Sequence, residues 1–317
     1  MINRGGNVWF DGGNVCVSVT AGSICVTWTT AVIYLGSVVL VLAGVLAVLL
    51  WDARRTPTAS QAATRANRHT TLASVVGAAV MAAVLLWLIG GAVLGVVPWR
   101  DGRVLALLPI LGAVSLLVAQ AVGQLTWPRP SGVVREAELT RRGAADVAPA
   151  WPRRLVLLWA GAGVLLLVIF AMVADGPRTM IRSVGLDTQE IGPYPGSYYG
   201  VLLGTAIIVT VVATELVLRL IALRPAVVGV SAEWDLHLRR RSAGHVARGV
   251  QLALALTVAG VLHVAGTVHQ SLGQQRLGSG LVVLAVTVLL AGLIVTITPL
   301  FGRRRDRPSP LAVAVPS

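Results

Sequence analysis

Few side chains in this chain can do chemistry, and they gather in a few places. Glu215 and Arg219 lie four residues apart inside a long apolar run. On a helix that spacing puts them on one face, where carboxylate and guanidinium can pair. A charge within a bilayer is costly and is normally paired or functional. The spacing therefore predicts a local ion pair near a span end, with Arg219 snorkelling toward water. A proton- or cation-carrying role for Glu215 is the alternative. His263 is the single histidine deep in a predicted span, and His269 follows six residues later. Six residues do not place two ligands on one helical face, and no other span offers a histidine to share a haem. His263 is read as a polar packing or loop contact, with proton titration as the alternative. No metal and no cofactor is expected.

The segment DGPRTMIRSVGLDTQEIGPYPGSYYG, 175–200, carries the densest functional chemistry. Asp175, Arg178, Arg182, Asp187, Glu190, Tyr194, Tyr198 and Tyr199 form a candidate exoplasmic ligand or partner surface, against the plainer reading of a structural lid. Asp175 with Arg178 and Arg182 suits an anionic head group but is too small a set to name a reaction. Gly192-Pro193 and Pro195-Gly196 force turns, and TMIRSVGL is expected to form one or two helical turns.

Both cysteines fall in NVCVSVTAGSICVTW. A two-residue turn at Thr20-Ala21 sets Cys16 opposite Cys25 in a β-hairpin. A lone hairpin is marginal in water. On an oxidising side of the membrane a disulfide would stabilise it by about 2–4 kcal/mol, so a Cys16–Cys25 disulfide is expected. The stretch lacks the basic start and early apolar region of a cleaved signal peptide. It is read as a small cap over the bundle or a docking surface for another subunit. No HExxH, Walker lysine or GxSxG occurs, so no catalytic residue is assigned.

These residues hang on a strongly apolar frame. Of 317 residues 56% are hydrophobic and 12% charged, about half the charge of a soluble domain. The fold class is an all-α polytopic integral membrane protein of seven transmembrane helices with a small exoplasmic N-terminal β-hairpin. The spans are 30–50, 72–97, 104–122, 155–174, 199–221, 250–268 and 281–300, each long enough to cross about 30 Å of hydrocarbon. Domain organisation follows: 1–29 an exoplasmic segment, 30–301 the seven-helix bundle, 302–317 a short basic cytoplasmic tail.

All 26 basic residues are arginine, and 20 of them fall on one alternating set of inter-span segments. The positive-inside rule then puts the N-terminus outside and the C-terminus in the cytoplasm. Trp28 and Trp51 bracket the first span as interfacial anchors. VSAEWDLHLRRR, 230–241, reads as a short interfacial helix, and 127–151 holds another short helix between prolines. The arginine runs at 239–241 and 303–305 face anionic lipid. Gly196, Gly200 and Gly204, and likewise Gly91 and Gly95, suit close helix packing.

The arginines sit in short loops without interleaved aromatics, which excludes nucleic-acid binding. Size and span number are similar to those of many bacterial inner-membrane proteins, so a multi-pass location in a bacterial plasma membrane is expected. The function expected is a non-enzymatic subunit or scaffold of a membrane complex. A transporter or permease component, or a membrane enzyme acting on a lipid-linked substrate at the exoplasmic face, are the alternatives. Partners are membrane lipids, other membrane subunits or a second copy of the chain.

Overall fold

The computed structural model describes residues 8–11, 14–19, 22–27, 60–93, 102–127, 143–184, 187–227 and 230–298. The first expected span (30–50), the basic tail (302–317), Trp51 and most of 127–151 lie outside the described residues. Three strands come first: β1 Val8–Asp11, β2 Asn14–Val19 and β3 Gly22–Thr27, in the antiparallel order β1-β2-β3. Then follow α1 Gln61–Val93, α2 Arg103–Leu125, α3 Ala144–Val147 and α4 Ala150–Val173. A second antiparallel sheet pairs β4 Met180–Val184 with β5 Asp187–Ile191. Three helices close the fold, α5 Ser197–Leu223, α6 Ala232–Ser271 and α7 Gln275–Ile297.

The protein is mostly helical and spans the membrane. Among the described residues α2, α4, α5, α6 and α7 are each long and apolar enough to cross it. A helix satisfies its own backbone, which lipid cannot do. The outward faces are apolar, as hydrocarbon requires: Leu158, Leu165, Met172, Val201 and Val283 are all exposed.

Helix α6 is the axis of the bundle. In its crossing stretch 72% of residues are buried, against 22–39% in the other four. It has 40 residues, about 60 Å, twice the hydrocarbon thickness. Ser231 caps its start by accepting a bond from the Trp234 N–H at 3.2 Å. The expected short interfacial helix at 230–241 is therefore the first three turns of α6. Those turns do not lie on a lipid surface. Trp234 and Leu238 are buried against Ala63 and Ala66 of α1 and against Trp127. Likewise α1 starts 11 residues before the apolar run at 72, because its polar first turns pack there too.

Two tight seams hold α7 to α6. A Cβ built on Gly278 would lie 2.6 Å from the Gly266 carbonyl oxygen, and one on Gly292 would lie 2.7 Å from the Ala255 Cβ. Of the glycines singled out at the entry to the fifth span, Gly204 has open space and Gly200 only ordinary contact, while a Cβ on Gly196 would lie 2.6 Å from the Pro177 carbonyl oxygen of the loop, not from another helix. The turn between α6 and α7 places Gly273 at φ 85°, where a glycine is needed.

Two expectations are corrected. TMIRSVGL is not helical: Met180–Val184 pairs with Asp187–Ile191 across a two-residue connection. Met180 is buried while Ile181 is exposed, the alternation of a strand with one covered face. The Cys16–Cys25 disulfide is the second. Cys16 does stand opposite Cys25 in the β2–β3 register, but no disulfide bond is present among the described residues. An isolated two-stranded hairpin would need a covalent staple. Here β1 adds a third strand along β2, and three strands are the usual threshold for a sheet that holds without one.

Candidate functional site

At the β4–β5 end of the bundle, the segment 175–200 is folded down onto the α6–α7 turn. The Asp175 carboxylate accepts the Ile181 N–H at 2.8 Å and so anchors the start of β4. Arg182 donates to the Ser271 carbonyl at 2.7 Å, tying the sheet to the end of α6. The chain then returns through Pro193, Tyr194 and Pro195 into α5, with the Tyr194 N–H donating to the Arg178 carbonyl at 2.8 Å.

Tyr194 is fully buried. Burial pushes its phenol up to about 12. His269 Nδ1 donates to Gln274 Oε1 at 2.7 Å, which leaves Nε2 facing the Tyr194 hydroxyl at 3.4 Å. The Tyr194 ring also meets His269 and Phe170 edge-on, with centroids 5.8 Å away in each case. This relay fixes the α6–α7 turn under the loop.

Beside it a cleft of about 220 Å³ opens between α2, α5 and α6. Pro109, Tyr194, Tyr199, Leu203, Thr257 and Gly260 line it. Pro109 has no N–H for the carbonyl four residues back, at Leu105, which also lines the cleft. At the rim, the Arg103 guanidinium lies 3.9 Å above the Tyr198 ring centre, and that of Arg178 lies 5.7 Å from it. Tyr198 in turn packs edge-on against Tyr199, centroids 5.0 Å apart.

The segment thus brings Arg178, Tyr194, Tyr198 and Tyr199 to one cleft. Asp175 and Arg182 serve the loop's own architecture. Glu190 is exposed on β5 opposite Ile181. Asp187 pairs with Val184 through its backbone, and its side chain lies outside the described residues. Arg103 was missed from the sequence, because it starts a different span. The Tyr194–His269 contact joins residues 75 positions apart and leaves no local signal.

The intramembrane polar residues also differ from expectation. Glu215 is bound bidentately by Arg153 of α4, at 2.8 and 2.9 Å, and Arg219 is exposed. A fork-to-fork pair between adjacent helices is stronger than a contact along one helix surface. His263 is exposed on α6, in a stripe with Leu256, Gly260 and Thr267. Gln251, fully buried, ties three helices. It donates to the Gly292 carbonyl at 2.9 Å and Thr296 Oγ1 at 3.0 Å, and accepts Trp159 Nε1 at 3.2 Å. Ser74, Gln120 and His245 form another junction beside a cavity of about 50 Å³.

The Glu215 assignment has a direct test. Glu215→Gln and Arg153→Gln are expected to be non-additive by about 0.5–3 kcal/mol in a stability cycle. Glu215→Gln and Arg219→Gln should add. Coupling to Arg219 instead of Arg153 would reverse the assignment.

Among the described residues no three His, Cys, Asp or Glu side chains converge as a metal centre would need. Comparison with protein-family models, with curated proteins and with solved structures gives no match to this chain.

Proposed function

We propose that the chain is a non-enzymatic subunit or scaffold of a bacterial inner-membrane complex. It has seven spans, with residues 1–29 on the exoplasmic side and 302–317 in the cytoplasm. The observation that carries this reading is how the polar groups inside the bundle are used. Glu215, Gln251, Gln120 and Ser74 are each bound to a neighbouring helix, so they join helices instead of lining a path. The arginine distribution supports the sidedness, and the β4–β5 face is then the exoplasmic ligand or partner surface. Solubilised gently from native membranes, the protein should elute with a second membrane protein, or with itself, at fixed stoichiometry. A lone monomer would refute the reading.

Transport is the second reading. Two cavities flank Leu252 and Leu256 along α6, and substrate flux in liposomes would put this reading first. The topology is tested separately. Single cysteines on a Cys16- and Cys25-free background should react with an impermeant thiol reagent in intact cells near Ser183. Those near Ser309 should react only after lysis. The opposite pattern would invert the assignment.

A further inference from the structure

The cleft and its rim have complementary chemistries. Leu105 and Leu256, 46% and 36% exposed, and the exposed Gly260 stand at its entrance. In a chain that spans the membrane, this entrance faces acyl chains. At about 220 Å³ the space falls below the 300–1,000 Å³ of pockets for compact ligands. It suits one extended hydrocarbon chain. The rim is cationic. Arg103 and Arg178 converge on the single Tyr198 ring, and neither pairs with a carboxylate among the described residues. Each gains from the ring face, and two cations gathered at one ring make the rim positive. An anion at this rim is attracted by both. The Tyr198–Tyr199 pair links rim to cleft, and tyrosines belong at the level of lipid head groups.

We propose that this is a binding site for one anionic phospholipid. One acyl chain lies in the cleft between α2, α5 and α6, and the phosphate sits at the rim that Arg103 and Arg178 make positive. The site takes up the ligand surface proposed above. Its test in detergent depends neither on the sidedness nor on a scaffold role, so either can fail without the other.

The full chain is titrated in mild detergent with phosphatidylglycerol and phosphatidylcholine of identical chains, and bound lipid is read by native mass spectrometry. The wild type should hold one phosphatidylglycerol at least tenfold more tightly than phosphatidylcholine. Arg103→Gln with Arg178→Gln should erase that preference but keep the residual binding of both lipids, which reports an intact cleft. The same double change at Arg65 and Arg276, exposed elsewhere, should keep the preference. Gly260→Phe should abolish binding of both lipids. Gly260 lines the cleft, and a Cβ there meets nothing within 4 Å, so the backbone can carry a side chain at the cleft wall. If Gly260→Phe does not fold, Leu256→Trp blocks the same entrance. Equal wild-type affinity for the two lipids, or unchanged phosphatidylglycerol binding in the blocked variants, would overturn the proposal. So would competition by chain-free glycerol phosphate as strong as by the lipid.

Discussion

Asp235→Ala should cost about 3–5 kcal/mol, the usual penalty for stranding buried charge. Asp235 is buried near the start of α6. Its Oδ2 accepts Arg239 Nε at 2.6 Å, and its Oδ1 lies 3.7 Å from Arg224. Both arginines are buried as well. Arg224 stacks over Trp127 at 4.0 Å. Burial lowers its pKa to about 10, with Asp235 opposing that fall and Arg239 adding to it. Arg239 also donates to the carbonyls of Ile221 and Ala222, at 3.3 and 2.6 Å, and so closes the C-terminus of α5. Without the carboxylate two guanidinium groups face each other out of water. Asp235→Asn, which keeps an acceptor but not the charge, should fall between wild type and Asp235→Ala. Arg219→Ala, at an exposed position, should stay within about 0.5 kcal/mol of wild type. Unfolding in a single detergent ranks the four proteins, and an Asp235→Ala no weaker than Arg219→Ala would show that the cluster contributes nothing.

Gly278→Val should separate α7 from α6. A Cβ at 278 would sit 2.6 Å from the Gly266 carbonyl oxygen and 2.8 Å from the Gln270 backbone nitrogen. Both are backbone atoms of the facing helix, so no rotamer change relieves the clash. Gly278→Ala is expected to cost about 1–3 kcal/mol, as overpacking does, and Gly278→Val more. Gly280, two residues on, has open space around it. Gly280→Ala should be neutral or better, since alanine is the stronger helix former by about 1 kcal/mol. Thermal denaturation of the three variants decides the matter. Equal effects at 278 and 280 would mean that the seam is not tightly packed.

The apolar runs made most helices legible, because a stretch of some 20 apolar residues has few other ways to hide its backbone. Helices α2, α4, α5 and α7 lie close to where hydropathy places them. Helix starts were hidden where polarity rose. The first turns of α1 and α6 carry Arg65, Arg68, Arg239 and Arg241, so hydropathy stops short of them. The two ends pack on each other: Arg241 donates to Asn67 at 2.7 Å. Nothing local announces such a contact. The partner of Glu215 was misplaced for the same reason, since Arg153 lies 62 positions away and Arg219 only four. For β4 the segment was too short for either period to decide. Of the candidate site, the aromatic and basic residues of 175–200 were visible as composition. Their division into anchors (Asp175, Arg182) and rim (Arg178, Tyr198) depends on the α2 and α6 ends they meet.

The unbroken length of α6 has a consequence for how this chain tolerates insertions and deletions. Asp235 and Arg239 at one end, and Gly266 at the other, are set on a single helix and therefore share one angular phase. Adding one residue between them would turn one set about 100° relative to the other. Either the arginine cluster or the glycine seam would then face the wrong neighbour. Seven added residues would nearly restore the phase, leaving about 20° of drift, but would part the two sets by about 10 Å. Length variation among sequences of this kind should therefore be absent from 239–266 and gather in the inter-helix segments.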